Sequence, residues 1–210
     1  MTFPTAVVRA GALVAPAGAL LSGAVARGQS SSADALVKAL QQGGHIILLR
    51  HASSPREAPD SQTANADNVK RERQLDEAGR AGAAAMGRAL VALKIPVGDV
   101  LTSPTYRAME TVRLARLPNS QPFAELGDGG QSMQGVADAQ GAWLREKTTR
   151  APAGTNTVIV THLPNIARAF PERGSDVAEG EALIFRPDGR GGTTLMGRVK
   201  VDEWRRLVQP

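Results

Sequence analysis

The sequence contains no cysteine among its 210 residues. This absence excludes disulfide bonds, thiolate metal ligands and cysteine nucleophiles, but it leaves the cellular compartment open because such a chain tolerates either redox environment. Aromatic residues make up only 3% of the chain, whereas proteins that bind single-stranded nucleic acids by stacking need aromatic platforms. The basic residues are scattered rather than gathered in a dense block. We therefore expect no nucleic-acid partner.

Long apolar runs are also scarce, and the one candidate lies at the N-terminus. No charged residue stands between Arg9 and Arg27, and Ala24-Val25-Ala26 ends the apolar stretch with small residues at the two positions that a signal peptidase reads. This pattern predicts a secretory signal peptide over residues 1–26, cleaved after Ala26, and a periplasmic or secreted domain over residues 27–210. The alternatives are a loosely packed N-terminal arm and an uncleaved anchor. We expect no stable membrane insertion after cleavage, because no later segment is apolar enough to cross a bilayer.

The rest of the chain reads as one folded domain. Apolar runs alternate with helix-like patterns, which favours a three-layer α/β/α sandwich around a mainly parallel sheet. The strand patterns fall at residues 45–49, 97–102, 157–160, 182–186 and 193–201. The helix patterns fall at residues 33–42, 77–93, 104–114 and 133–149, with a further short helix starting at Pro164. The last two strands flank the turn-forming segment 187–192 and predict an antiparallel hairpin at a sheet edge.

Polar residues mark the helix starts, and two stretches lack a regular pattern. Asp76, Ser103 and Ser132 are predicted to cap the helices that follow them, because short polar side chains accept hydrogen bonds from free backbone N–H groups. Residues 52–74 and 117–130 are rich in Pro, Gly, Ser, Asn and Asp, so we expect irregular loops there. Substrate specificity should reside in these two loops, neither of which carries a readable recognition pattern.

Chemically reactive residues follow three of the predicted strands. Arg50 and His51 end the first strand, Arg107 comes shortly after the second, and His162 follows the third. In open α/β sheets, ligands bind beyond the carboxyl ends of the strands, so we expect these two histidines and two arginines to meet in one crevice. His45 starts its strand at the opposite end, and we expect it to be structural.

The expected cluster is suited to phosphate chemistry. Guanidinium groups are permanent cations whose donor forks match phosphate oxygens, and an unprotonated imidazole beside them is a competent nucleophile. Arg107 falls in the first turn of its predicted helix, where the helix dipole favours an anion. The Gly-x-x-x-x-Gly-Lys-Ser/Thr loop of nucleoside triphosphatases and the His-Glu-x-x-His zinc motif are both absent from the sequence.

The motifs around these residues resemble a known family. Leu49-Arg50-His51-Ala52 resembles the Arg-His-Gly signature of the histidine phosphatase superfamily, with Ala in the third place. Residues 75–80 resemble its Leu-Thr-x-x-Gly helix start, residues 102–111 are similar to its Ser-Ser-Pro-x-x-Arg-Ala-x-x-Thr segment, and residues 158–162 resemble its second histidine strand. The order and spacing agree over about residues 44–200 with the phosphoglycerate mutase-like, small histidine phosphatase branch.

The resemblance implies a role for each site residue. His51 would attack phosphorus and form a phosphohistidine, while Arg50, Arg107 and His162 would bind the phosphoryl oxygens. No metal or organic cofactor would be needed, and the partner would be a small phosphorylated substrate or an exposed phosphate group. The resulting expectation is a phosphomonoesterase. The alternatives are an inactive phosphate-binding module of the same fold and a phosphomutase, which is disfavoured by the short span between Arg107 and His162.

The proton donor is the incomplete part of the resemblance. Many family members carry an acidic residue between the second arginine and the second histidine, and this chain offers Glu125 and Asp128 there. Glu125 is the first candidate for the proton donor, and Glu181 is another. The alternative for both Glu125 and Asp128 is that they are solvated charges of the loop without a catalytic role. Arg73, in the first loop, is predicted either to contact substrate or to lie on the surface.

Overall fold

The computed structural model describes Met1 and residues 33–129, 137–150 and 154–208. The predicted cap Ser132 and, apart from Met1, the predicted signal peptide lie outside these residues. Within the described part of the chain, no helix is both long and apolar enough to span a bilayer.

Six strands form one sheet in the order β3-β2-β4-β1-β5-β6. They are β1 (Ile46–Arg50), β2 (Val97–Thr102), β3 (Ser120–Pro122), β4 (Asn156–Thr161), β5 (Ala182–Pro187) and β6 (Thr193–Val199). The first four strands run parallel, whereas β5 pairs antiparallel with both β1 and β6. The predicted mainly parallel sheet with an antiparallel hairpin at its edge is confirmed.

Helices cover both faces of the sheet. They are α1 (33–42), α2 (Glu77–Ala92), α3 (Tyr106–Leu114), α4 (Asp138–Lys147), α5 (Leu163–Ala169), α6 (Pro171–Gly174) and α7 (Glu203–Arg206), with a 3₁₀ helix at Ala124–Leu126. Alternate residues of β1 face opposite ways, as strand geometry requires. Ile47 and Leu49 pack in a core with α1, α2, α3 and α7, while Ile46 and Leu48 pack in a second core with α4 and α5. This confirms the three-layer sandwich.

Asp76 caps α2 as predicted, because its Oδ1 accepts a hydrogen bond from the backbone N–H of Gly79 at 2.7 Å. The prediction for Ser103 is wrong. Helix α3 begins at Tyr106, two residues later than expected, because Ser103 Oγ lies in a local turn and accepts from the N–H of Thr105 at 3.2 Å. The free N–H of Tyr106 instead donates to Glu72 in the loop of residues 52–74, at 2.8 Å.

The expectation of a wholly irregular segment over residues 117–130 is also wrong. Strand β3 and the 3₁₀ helix lie within it. The sequence Ser-Gln-Pro of β3 has no apolar pattern, and the strand exists because its backbone extends the parallel edge of β2.

Candidate active site

The parallel register of the sheet brings the predicted site residues together. Arg50 pairs with Thr161 across β1 and β4, so the chain segments that follow, starting at His51 and His162, leave the sheet side by side. The N–H of His51 continues the pairing by donating to the carbonyl of Thr161 at 2.9 Å. Thr102 on the other side of β4 pairs with Val160, so α3 starts at the same end of the sheet. The predicted convergence of these residues is therefore observed.

His51 is held as a neutral imidazole with a defined tautomer. Its side chain is buried, and Nδ1 lies 2.8 Å from the carbonyl oxygen of Ala52, which can only accept a hydrogen bond. The proton therefore resides on Nδ1, and the lone pair of Nε2 accepts from Arg107 Nε at 3.2 Å. Burial lowers the pKa of His51 to about 3, the bond to Ala52 opposes this shift, and the Arg107 and Arg50 guanidiniums add to it. At neutral pH, Nε2 is consequently unprotonated, as a nucleophilic nitrogen must be.

His162 is the second buried imidazole and lies beside the first, with the two ring centroids 5.1 Å apart. Its Nδ1 accepts from Arg107 Nη2 at 3.0 Å, so the proton is on Nε2, which donates to Ser103 Oγ at 2.8 Å. Burial, followed by the neighbouring His51 and Arg107, holds the pKa of His162 well below its ordinary value. Ser103 therefore orients this ring rather than capping a helix.

Arg107 contacts three other residues of the site and is only 4% exposed. Its Nε and Nη2 atoms, which form one edge of the guanidinium, contact His51 Nε2, His162 Nδ1 and Asp128 Oδ2. This edge is the fork that binds an oxyanion in bidentate fashion. A phosphoryl group placed against His51 would meet the same donors.

Arg50 extends from the end of β1 into the same pocket and is half-buried. Its Nη1 donates to the carbonyl of Val177 at 2.8 Å, and its Nη2 donates to Glu179 Oε1 at 3.1 Å. Val177 and Glu179 belong to the segment between α6 and β5. The guanidinium thus has a fixed position before any phosphate is bound.

Arg73 is a third guanidinium at the site. Its side chain is 11% exposed, and its Nη2 lies 2.8 Å from the carbonyl of Ser54 and 4.0 Å from Glu179 Oε1. Burial, followed by the proximity of Arg107, lowers the pKa of Arg73 from its ordinary value. Its low exposure argues against the surface role, and contact of Arg73 with a substrate stays a prediction.

The acidic candidates occupy three different environments. Asp128 contacts Arg107 directly. Glu125 lies in the 3₁₀ helix, where its backbone carbonyl accepts from Asn165 Nδ2 at 3.2 Å. Glu181 is 1% exposed, and both its oxygens accept from Arg198, at 2.8 and 3.1 Å. Glu181 is therefore a structural partner of Arg198 and not an available proton donor.

Sequence reasoning missed Glu179 and the roles of Ser103 and Asn165. Glu179 stands in a loop without a distinctive pattern, and only the folding of that loop against β1 brings it to Arg50. Asn165 Nδ2 binds the carbonyls of Glu125 and Gly127, which places the segment leading to Asp128. Among the residues that the structure describes, no group of three or more His, Asp or Glu side chains is arranged to hold a metal ion.

Comparison with solved structures identifies the fold. The structure of the protein histidine phosphatase SixA complexed with tungstate is 18% identical, with a TM-score of 0.56 over 75% of this chain and 97% of that chain. A putative phosphohistidine phosphatase SixA from Agrobacterium tumefaciens is 16% identical, with a TM-score of 0.52 over 74% and 97%. A phosphoserine phosphatase variant from Entamoeba histolytica, in complex with phosphoserine, is 12% identical, with a TM-score of 0.50 over 76% and 98%.

The sequence was also compared with curated proteins and with protein-family profiles. No curated protein matches the chain. Residues 46–126, which run from the start of β1 to the end of the 3₁₀ helix, match the profile of the family described as histidine phosphatase superfamily (branch 1). This segment includes the Arg50-His51 motif and the Arg107 motif. The matched segment therefore resembles the histidine phosphatase superfamily, and the described part of the chain shares the fold of the solved phosphatase structures.

Proposed function

We propose that the protein is a metal-independent phosphomonoesterase that forms a phosphohistidine intermediate on His51. The observation that carries this proposal is the unprotonated Nε2 of His51, which faces the oxyanion-binding edge of Arg107. The ring of His162 lies 5.1 Å from that of His51, and the charge of Arg50 is close enough to help lower the pKa of His51. A phosphoryl group bound there would meet a nucleophile on one side and fixed donors around its equatorial oxygens.

The reaction proceeds in two displacements. In the first, the Nε2 lone pair of His51 bonds to phosphorus as the ester P–O bond breaks, and the leaving oxygen takes up a proton. In the second, water attacks phosphorus, and the N–P bond breaks with its electron pair returning to Nε2. The group that donated a proton to the leaving oxygen in the first step accepts the proton of the attacking water. Arg50 and Arg107 stabilise the charge on the transferring group in both steps. His162 joins them when the bound anion favours its protonation.

Asp128 is better placed than Glu125 to donate the proton to the leaving group. The carboxylate of Asp128 touches Arg107, whereas the described contacts of Glu125 with the site run through its backbone carbonyl. The contact with Arg107 places the Asp128 carboxyl group beside the position that a bound phosphate would occupy, within reach of the leaving oxygen.

The two acidic candidates can be separated with leaving groups of different basicity. Asp128→Asn should lower kcat for an alkyl phosphate on the order of 100-fold and for p-nitrophenyl phosphate far less, because the p-nitrophenolate group needs little protonation. Glu125→Gln should leave both rates within about twofold. The opposite pattern would assign the acid to Glu125.

The substrate is proposed only as a chemical class. SixA and the phosphoserine phosphatase share this fold, and they support either an exposed phosphate on a protein or a small phosphoester as the substrate. A panel that contains phosphohistidine peptide, phosphoserine and sugar phosphates, compared by kcat/KM, would distinguish these possibilities.

Hydrolysis in the presence of EDTA tests the proposed reaction. The wild-type protein should hydrolyse p-nitrophenyl phosphate in EDTA and yield an acid-labile, base-stable phosphoenzyme on rapid quenching, whereas His51→Ala should yield neither. Activity that requires a divalent metal would contradict the mechanism.

The second candidate is a phosphate-binding module without turnover. It is favoured by the ion pair between Arg107 and Asp128, because the carboxylate contacts the guanidinium edge that a phosphoryl group would need. Binding of inorganic phosphate without a phosphoenzyme would support this candidate.

The proposed location is the periplasm or the extracellular medium, on the basis of the N-terminal pattern. Mass spectrometry of the protein expressed in a bacterial host should find Arg27 as the first residue of the exported form. An unprocessed N-terminus would contradict signal-peptide cleavage.

A further inference from the structure

Two residues of the segment between α6 and β5 form hydrogen bonds with the guanidinium of Arg50. The carbonyl of Val177 binds Nη1 at 2.8 Å, and the carboxylate of Glu179 binds Nη2 at 3.1 Å. The next residue, Gly180, donates its N–H to the carbonyls of Arg50 and His51 at 3.2 and 3.0 Å. Side-chain and backbone contacts of this segment therefore meet at the residues that carry the proposed chemistry.

Glu179 also reaches the loop of residues 52–74. The same oxygen that binds Arg50 lies 4.0 Å from Arg73 Nη2, and the other oxygen accepts from the N–H of Ser54 at 3.4 Å. One carboxylate thus lies between two guanidiniums that come from different parts of the chain. Without this carboxylate, the guanidiniums of Arg50 and Arg73 would repel each other in a poorly solvated pocket. The repulsion would move one of them away from the other.

The turn that carries Glu179 is supported by the side chain of Glu181. Glu181 accepts from the N–H of Ala178 at 2.7 Å and forms its ion pair with Arg198 of β6. Gly180 has a φ of 74°, and a Cβ there would lie 3.1 Å from the side chain of Val201, so a larger residue is disfavoured. The Glu179 carboxylate is therefore placed by a rigid support, as a positioning group requires.

We propose that Glu179 is a positioning residue that holds Arg50 and Arg73 together, so that both guanidiniums serve one phosphoryl group in the transition state. The proposal rests on the proposed phosphatase function. It makes Arg73 the third cation of the pocket, fixed through Glu179 and through the backbone carbonyls of Ser54 and Pro55.

The test compares two oxyanions on Glu179→Gln. Inorganic phosphate resembles the ground state, and vanadate resembles the five-coordinate transition state. At pH 6 both are mainly monoanions, so the loss of one negative charge from the pocket affects both Kd values alike and cancels in their ratio. The variant should lose on the order of tenfold in its preference for vanadate and lose kcat by a similar factor. Its Tm should stay within about 2 °C of the wild-type value.

Two further variants sharpen the comparison. Glu172→Gln removes an exposed carboxylate from α6 by the same substitution and should change neither ratio nor kcat. Arg73→Ala should weaken the vanadate preference by itself, and its effect should not add to that of Glu179→Gln, because the two residues act through one contact.

Three results would overturn the proposal: an unchanged vanadate preference in Glu179→Gln, additive effects of the two substitutions, or a loss of activity explained entirely by unfolded protein. A failure of the proposed function looks different. In that case the wild-type protein itself would show no preference for vanadate and no phosphoenzyme. The non-additivity of the Arg73 and Glu179 substitutions in phosphate binding would then still decide whether Glu179 positions Arg73.

Discussion

At the scale of single residues, the site keeps two imidazoles neutral among three guanidiniums. Burial excludes the water that would solvate an imidazolium, and the positive charges of Arg50, Arg73 and Arg107 oppose a further proton. The hydrogen bonds complete the arrangement, because Arg107 can only donate and so occupies the lone pairs of both rings. The pocket is thus prepared to receive an anion rather than a proton.

This arrangement predicts that the site histidines do not titrate in the usual range. In the phosphate-free protein, the imidazole resonances of His51 and His162 should show no protonation step between pH 5 and 8, because both pKa values are lowered from 6.5. An NMR titration that follows the ring carbon-bound protons measures this directly.

Assignment by His51→Asn and His162→Asn provides the control for this titration, since each variant removes one set of resonances. A step near pH 6.5 that disappears in either variant would contradict the geometry of the site. Addition of inorganic phosphate should move the apparent pKa of His162 upward, because the bound anion stabilises the imidazolium.

At the scale of elements, the long loop of residues 52–74 is tied to α3. Glu110 of α3 is 3% exposed, and its carboxylate accepts from the N–H of Leu75 at 2.9 Å and from Asn65 Nδ2 at 3.2 Å. Glu72 in return caps the first turn of α3 through the N–H of Tyr106. Arg73 is placed in the pocket because its neighbours in the chain are anchored in this way.

Removal of the Glu110 carboxylate should therefore loosen the loop. Glu110→Ala leaves the buried N–H of Leu75 without its partner, which should cost about 1–3 kcal/mol in the free energy of unfolding. Limited trypsin digestion should then cut faster after Lys70 or Arg71, and KM should rise more than kcat falls.

Glu146→Ala is the matched control, because Glu146 of α4 forms an exposed i,i+4 pair with Arg150, which lies just beyond the end of that helix. Pairs of this kind contribute about 0.3–0.5 kcal/mol, so urea denaturation should distinguish the two variants clearly. Equal stability of both variants would show that the loop does not depend on Glu110.

The contrast between predicted and unpredicted features also belongs to this scale. The sequence predicts β1 and β4 because their apolar runs are long enough to be buried on both faces, and it predicts the meeting of His51 with His162 because parallel strands end at one edge. It does not predict β3, whose three residues are defined by pairing alone. Nor does it predict Glu179, because the placement of a loop carboxylate depends on how distant segments pack.

At the scale of the whole molecule, the two neutral histidines make the free energy of unfolding depend on pH. In the unfolded chain each histidine takes up a proton near pH 6.5, whereas in the folded protein the pKa of His51 is lowered to about 3 and that of His162 is well below the ordinary value. Below pH 6.5 the unfolded state therefore binds more protons than the folded state. By linkage, stability is fully present above that pH and is lost as the pH falls.

The free energy of unfolding should accordingly be nearly flat from pH 8 to 7 and should decline between pH 6 and 5. His51 contributes up to about 1.4 kcal/mol per pH unit to this decline, and His162 contributes with the same sign. Urea denaturation at fixed ionic strength measures this slope. His51→Asn should reduce the slope by up to about 1.4 kcal/mol per pH unit, since the contribution of His51 is then lost. Exposed carboxylates with lowered pKa values, such as those of Asp60 and Asp188, act in the same direction but below this window. A slope that is identical in the wild-type protein and in His51→Asn would mean that the buried imidazole does not carry this pH dependence.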